Sequence, residues 1–393
     1  MPKKRTARIA RDRDAPGLDI ASRGRKGPQA PRDGRPLFDP SSPSSMAALR
    51  RTLDRVPEVM VKVTGGGRDS GTAEAHIDYI DRHGELDVLT DDGDTLKGKD
   101  VSSLLVKDWK LDTVINQRHR DAPEAGEKDK RAKLVHNIVL SMPHGAPPQK
   151  VLEAAQFFAR ENFAFSHRYA MVLHDPATDP KHEKTESGKN PHVHLVVKAV
   201  SETGERLYIR KNTLQDWREQ FAQALRDRGV EANATPAAIR GKGRSSTKGA
   251  MHQHQERIAK WQSDPEANKK PIESSFLQGQ VETALNEVVN GVVPDMTGKA
   301  VLEGTRNNVV ADWNATVHAL RAVGMDNDAK AVEAFIKTLP AVKTDYEVLR
   351  YRVEKDKDRL QLAIGQKLKA DQVEQKPAAD KQAQDVDHLA PGR

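Results

Sequence analysis

The segment Pro191-His192-Val193-His194-Leu195-Val196-Val197 restricts the fold of this chain more than any other stretch. Strand side chains alternate between faces. His192 and His194 therefore share one face, and Val193, Leu195 and Val197 point to the other. Tyr169–His174 reads as the strand before it, with Ala170, Val172 and His174 on one face and Tyr169, Met171 and Leu173 on the other. His174 ends that strand and His192 begins the next. If the two pair as an antiparallel hairpin, three imidazoles converge at one end of a sheet.

The neighbouring pattern extends this sheet. Glu58–Val63, Leu134–Met142 and His192–Val200 read as strands, and Leu207–Arg210 as a short one. Leu86–Thr90 and Thr95–Leu96 flank Asp91-Asp92-Gly93-Asp94, a good hairpin turn. Thr72–Arg82 can form a short helix. Pro148–Phe163 and Thr213–Gly229 have helical periodicity, and Gly229 suits a C-cap. The order β-α-β-β-(β)-α predicts an α+β fold, an antiparallel sheet with helices on one face.

The rest of the chain is more polar. Only 36% of the 393 residues are apolar and 31% are charged, so the whole chain is not one packed core. At roughly 150 residues per domain, two or three domains are expected. Residues 1–55 read as a disordered basic arm, broken by Pro16, Pro28, Pro31, Pro36, Pro40 and Pro43. Residues 56–245 form the folded centre, with a polar linker near 116–133. Residues 246–375 read as a mostly helical accessory region, and 376–393 as a disordered tail. No apolar run approaches the roughly 18 residues of a membrane helix. The basic N-terminus lacks the apolar stretch of a secretory signal. A soluble, intracellular protein is expected. The absence of cysteine excludes disulfides, zinc–thiolate sites and thiol nucleophiles. A net charge of +7 suits a polyanionic partner.

Three neutral imidazoles suit a divalent transition metal with open positions. His174, His192 and His194 are the candidate set, with His182 in the intervening loop as a rival third ligand. Asp175 and Asp179 could orient a ligand from behind. His136 and His144 read as structural or surface residues. A nucleophile is harder to find, since no serine lies in an elbow pattern. Of the five tyrosines, Tyr169 reads as core and Tyr208 as structural. Tyr346 and Tyr351 fall on different helix faces. Tyr79 has polar neighbours, with Arg82 about one turn away. Phosphate contact is expected from Lys198, Arg206, Arg210, Lys211, Arg240, Lys242 and Arg244.

These residues resemble a known family. Val61-Lys62-Val63-Thr64-Gly65-Gly66-Gly67 and Ala75-His76-Ile77-Asp78-Tyr79-Ile80 look like the tyrosine motif of conjugative relaxases of the P mobilisation class. His174-Asp175 with Pro191-His192-Val193-His194-Leu195-Val196-Val197-Lys198-Ala199 is similar to their histidine motif. Trp217–Ala222, Glu231–Pro236 and Arg240-Gly241 also follow the pattern. The resemblance covers about residues 56–245. It implies a five-stranded antiparallel sheet related to a ferredoxin-like core. It implies metal-assisted attack by tyrosine on a phosphodiester of a transfer origin, leaving a 5′-phosphotyrosyl adduct and a free 3′-hydroxyl. By position, Tyr79 is the nucleophile, and His174, His192 and His194 hold Mg²⁺ or Mn²⁺. Arg82 and Asp175 are the assisting residues.

The implied partners are single-stranded and supercoiled DNA, accessory mobilisation proteins and a type IV secretion or coupling protein. The implied location is the bacterial cytoplasm, with passage to a recipient cell alongside the DNA. A rolling-circle replication initiator shares this chemistry, but its tyrosine usually follows the histidines. Here Tyr79 precedes them. A non-catalytic DNA- or RNA-binding module is the third alternative.

Overall fold

The computed structural model describes residues 34–112, 132–180, 190–241, 275–294, 297–358 and 361. Most of the expected linker at 116–133, His182, Lys242, Arg244, most of the N-terminal arm and the C-terminal tail lie outside these residues. The described residues form two compact units. One contains residues up to 240 and 311–338, and the other contains 241–310 and the residues from 339 onward.

The first unit is built on one antiparallel sheet. Its strands are β1 (Met60–Gly65), β2 (Val88–Thr90), β3 (Thr95–Leu96), β4 (Val135–Ser141), β5 (Tyr169–His174) and β6 (His192–Lys198). They lie in the order β1-β4-β6-β5-β2-β3. The expected sheet of five strands thus has six, the sixth being the two-residue β3. The Asp91–Asp94 turn forms the β2–β3 hairpin, as its sequence predicts. Leu207–Arg210 is not a strand. Its neighbourhood contributes only a bridge between Val200 and Arg206.

Helices cover both faces of the sheet rather than one. α1 (Pro43–Leu53) opens the described chain, and α2 (Ser70–Ile80) and α3 (Val101–Asp108) follow. α2 and α3 lie on the face formed by Ala170, Val172 and Val196, and bury Ala73, Ile77, Ile80, Leu105 and Trp109 there. α4 (Pro148–Phe163) and α5 (Lys211–Arg226) cover the opposite face, which holds Ile138, Leu140, Met171, Val193, Leu195 and Val197. β4 and β6 separate two apolar layers. Their long apolar runs follow from burial on both sides.

Two glycines let α2 lie against the sheet. Gly66 has φ +141°, and a Cβ on it would come within 2.0 Å of the Val135 carbonyl oxygen. A Cβ on Gly67 would meet the Ala73 backbone at 2.6 Å. Any larger side chain would push the first turn of α2 off the strand ends.

The segment 34–55, expected to be disordered, contains α1. Pro43 sits at its first turn, and Ser42 caps it by accepting from the Ser45 N–H at 3.3 Å. Met46, Leu49 and Thr52 are buried along one side of it. Helix spacing of these few residues, together with the N1 proline, outweighs the polar composition. The partners of this segment come from far along the chain. α7 (Thr297–Ala322) and α8 (Asp326–Lys337) follow α6 (Ser275–Val289). The Phe38 ring packs 5.5 Å from Trp313, and Trp313 packs 5.2 Å from Phe335. Trp313 Nε1 donates to the Ile239 carbonyl at 3.0 Å. Residues 311–338 therefore belong to the unit that holds the sheet, although composition had placed them in a separate accessory region. The second unit packs α6 against α9 (Asp345–Lys355) through Ala284, Leu285 and Val353.

The core under α4 and α5 is aromatic. Phe158 meets Phe163, Trp217 and Phe221 edge-on, at centroid distances of 6.1, 5.9 and 6.4 Å. Edge-to-face contacts add to the area these rings bury. Phe158→Ala should cost about 3–5 kcal/mol in a denaturant melt of the isothermal folding equilibrium.

Candidate metal centre

The β5–β6 hairpin pairs in the register the alternation requires. His174 lies opposite His192, and Val172 opposite His194. The ring centroids are 4.9 Å (His174–His192), 4.5 Å (His174–His194) and 5.2 Å (His192–His194) apart. One ring nitrogen from each residue lies within 4.8 Å of the others. This is the group of potential metal ligands found among the described residues.

Backbone carbonyls set two of the three tautomers. His174 Nε2 donates to the Ile80 carbonyl at 2.7 Å, which leaves Nδ1 with its lone pair. His192 Nδ1 donates to the Asn190 carbonyl at 2.9 Å, which leaves Nε2 with its lone pair. These two lone-pair nitrogens face each other at 3.2 Å. Two facing acceptors are poor company unless something positive lies between or beside them. His194 Nδ1 stands 3.4 Å from the Asn137 amide nitrogen, which also donates to Thr64 Oγ1 at 2.8 Å.

Burial is the main reason all three rings stay neutral. It pushes the His174 pKa down to about 4, aided by the nearby His192 and Arg82. It pushes His194 down to about 2, with His174, His192, His76 and Arg82 adding to the effect. His192 is lowered in the same way. Neutral imidazoles are the form that binds a divalent cation. The donor set therefore fits such an ion.

Behind the histidines lies a buried ion pair. Arg82 Nε donates to Asp179 Oδ1 at 2.9 Å, and Nη2 to Oδ2 at 2.7 Å. Arg82 Nη2 also lies 3.3 Å from His174 Nδ1. Burial works against the Arg82 charge, but Asp179 outweighs it and keeps the guanidinium charged. The way α2 ends aims this side chain. Arg82 has φ 59° and His83 φ 61°, both left-handed, and the His83 N–H closes back to the Asp78 carbonyl at 2.9 Å. That closure is a Schellman-type stop, which glycine usually provides. An arginine held there points to a demand from the site.

Tyr79 lies one residue before Ile80, whose carbonyl holds His174. Its side chain is 55% exposed, and the Arg82 guanidinium lies 5.4 Å from its ring centroid. Tyr169 is core, as read from sequence, and the Tyr346 hydroxyl donates to Glu287 at 2.7 Å.

Asp175 does not join the cluster. Its Oδ1 accepts from the Ala177 N–H at 2.9 Å, and its carbonyl accepts from Thr178 and Asp179. It shapes the turn that brings Asp179 back to the histidines. The carboxylate at the site is one turn further on than expected, because the strand stops at His174 and the chain coils at once. Asn137 and His76 were not picked out from the sequence. Asn137 is a polar residue at an inward strand position, which was a readable signal. His76 is lowered by burial, and its Nε2 is buried without a hydrogen-bond partner.

The expected DNA-contact residues divide. Lys198 is buried at the end of β6 and pairs with Glu202 at 2.6 Å. Arg240 pairs with Glu58 at 3.2 Å and donates to the Thr235 carbonyl. These two brace the fold. Arg210 and Lys211 are exposed at the start of α5, and Arg206 is half-buried.

Residues 93–230 match the family model described as relaxase, MobA/VirD2-like, nuclease domain. Over this stretch the chain is similar to a relaxase nuclease domain. The match spans β3 to α5 and includes all three histidines and Asp179. It begins after Tyr79 and Arg82. No curated protein matches the chain. Relaxase nuclease domains nick DNA in mobilisation, which agrees with the relaxase resemblance of the motifs. Among the described residues, no helix is long and apolar enough to cross a membrane.

Two outcomes test this geometry. The histidines have folded pKa values below their unfolded value near 6.5, so the unfolded chain binds more protons as pH falls. Their contribution is complete above pH 6.5. It should be lost as pH falls from there through about 4 for His174 and towards about 2 for His194. Thermal melts of metal-free protein should follow that slope, and His194→Gln should flatten it. Separately, Asp179→Ala strands a buried guanidinium and should cost about 3 kcal/mol by denaturant melting. Asp175→Ala should cost much less.

Proposed function

We propose that the chain is a site- and strand-specific relaxase of the P mobilisation class, acting in conjugative transfer or mobilisation. Tyr79 is its nucleophile, and His174, His192 and His194 hold the metal. The observation that carries this reading is the direct tie between α2 and the histidines, from the Ile80 carbonyl to His174 Nε2 at 2.7 Å. The residue next to that tie is an exposed tyrosine. This order along the chain favours a relaxase over a rolling-circle initiator.

The residues act as follows. Tyr79 Oη loses its proton and attacks the scissile phosphorus. The bond to the 3′ oxygen breaks, and that oxygen leaves as a 3′-hydroxyl after taking up a proton. A 5′-phosphotyrosyl ester remains. Because one phosphodiester replaces another, a free 3′-hydroxyl can later attack the ester and restore the strand. His174, His192 and His194 would hold Mg²⁺ or Mn²⁺, which polarises phosphoryl oxygens and stabilises the charge that develops on them. Arg82 holds the end of α2 and keeps a positive charge beside the tyrosine ring. Asp179 keeps Arg82 in place. The helical regions towards the C-terminus would contact accessory mobilisation proteins or a coupling protein of a secretion channel.

The test uses single-stranded fragments of the DNA around this gene, incubated with protein and Mg²⁺ or Mn²⁺. A protein–DNA adduct should appear on a denaturing gel, vanish with EDTA and be absent in Tyr79→Phe. Cleavage without an adduct would replace this reading with a water-using nuclease.

A further inference from the structure

The sheet face opposite the histidines carries a second feature with the chemistry of a ligand site. A cleft of about 410 Å³ opens where β1 and β4 meet the start of α5. Val63 and Leu214 line its apolar side, while Lys133, His136, Arg206 and Tyr208 supply polar groups. The volume is in the range of pockets that hold one small organic group.

Charge in the cleft is of one sign. Lys133 Nζ donates to the Gly65 carbonyl at 2.6 Å, and Arg206 Nη1 donates to the Lys133 carbonyl at 3.0 Å. Both cations are held by neutral carbonyls, and among the described residues neither pairs with a carboxylate. His136 is held neutral, its pKa pushed down to about 4 by burial and by Lys133 and Arg206. Its Nδ1 is buried with no hydrogen-bond partner. An anion is the natural complement of this pair of cations.

Tyr208 narrows the class. Sequence alternation predicts a structural strand residue, but the ring is 70% exposed beside the cleft. Exposed Arg210 and Lys211 continue the positive charge beyond it. Phosphate-binding cations beside an exposed aromatic ring and an apolar wall suit an unstacked base with its phosphate. A base paired in a duplex cannot turn its face to such a ring.

We propose that this cleft is a single-stranded DNA subsite: the base stacks on Tyr208, the adjoining phosphate lies near Lys133 and Arg206, and the strand runs past Arg210 and Lys211. The subsite would grip the strand on the face away from Tyr79. It deepens the relaxase reading by assigning where unpaired DNA is held, yet binding there needs neither the metal nor the tyrosine nucleophile.

The test is fluorescence anisotropy of a labelled oligothymidylate with the full chain in EDTA. Tyr208→Ala should weaken binding by about tenfold, and Tyr208→Phe should restore most of it. Arg206→Ala should also weaken binding, and should reduce the slope of log affinity against log salt by about one. The Tyr208 ring is exposed, so an unchanged thermal melt of Tyr208→Ala confirms that folding is intact. As a second readout, 5-iodouracil in the strand should photocrosslink to the peptide carrying Tyr208. Unchanged affinity in both alanine variants, or crosslinks confined to other peptides, would overturn the subsite. Tighter binding of oligouridylate than of oligothymidylate would overturn its assignment to DNA. Tyr208-dependent binding here, with no Tyr79 adduct in the separate Mg²⁺ or Mn²⁺ assay on DNA from around the gene, would leave the subsite standing and reject the nicking reading instead.

Discussion

The buried pair between Arg82 and Asp179 is the interaction on which the site depends. Three parts of the chain meet there: the end of α2, the turn after β5, and the histidine face of the sheet. Each needs the others. Without Asp179, the Arg82 charge would lie buried and unmatched. Without Arg82, the left-handed stop of α2 would have no reason to be an arginine. His174 joins both, through Arg82 on Nδ1 and the Ile80 carbonyl on Nε2. One ring thus fixes the helix end relative to the strands, and Tyr79 travels with that helix end. A buried ion pair is weak evidence for net stability. Here its value is positional, since two hydrogen bonds to a planar guanidinium define an orientation that an apolar contact would not.

Much of this was legible in the sequence because strands have a strict period. The faces of β5 and β6 follow from alternation, and so does the convergence of His174, His192 and His194 if the two strands pair, although His182 stayed open as a rival to His174. The ends of α4 were equally clear, with Pro148 at the start and an apolar stripe to Phe163. What was not legible depends on the chain returning to itself. Asp179 and Asp175 are equivalent on paper, and only the coiling of the turn decides between them. α1 was hidden because its buried residues are few and its partners, such as Thr235, lie far along the chain. Lys198 and Arg240 read as free charges because their partners, Glu202 and Glu58, could not be told from other surface acids. α3 was missed for a related reason: it is short, and its apolar residues make sense only under the sheet.

The two faces divide the labour. On one, α2 and α3 leave room at the strand ends for a polar cluster. On the other, α4 and α5 build an aromatic core that runs out near β1, where the cleft begins. β4 serves both faces with adjacent residues. Asn137 touches His194 on one side, and His136 lines the cleft on the other. The central strands are therefore held in register from both sides, and a one-residue slip would exchange the two chemistries. That constraint explains why His136 and Asn137 stand side by side before the apolar run Ile138–Leu140.

Charge balance explains how the histidine cluster can be so close to an arginine. Arg82 and Asp179 together carry no net charge, and burial keeps the three imidazoles neutral. The cluster is then a set of lone pairs without a formal charge of its own. Protonating any ring would place a second cation beside Arg82 in a poorly solvated site, which is why the ring pKa values are low. A divalent cation meets the same guanidinium but gains several nitrogen donors at once, and the Asp179 carboxylate lies 3.6 Å from His174 to offset part of the repulsion. The same packing that rejects a proton thus keeps the rings in the neutral form that a metal requires. On the proposed reading a phosphodiester would bring a further negative charge, so metal and substrate would each lessen the cost of placing the other beside Arg82.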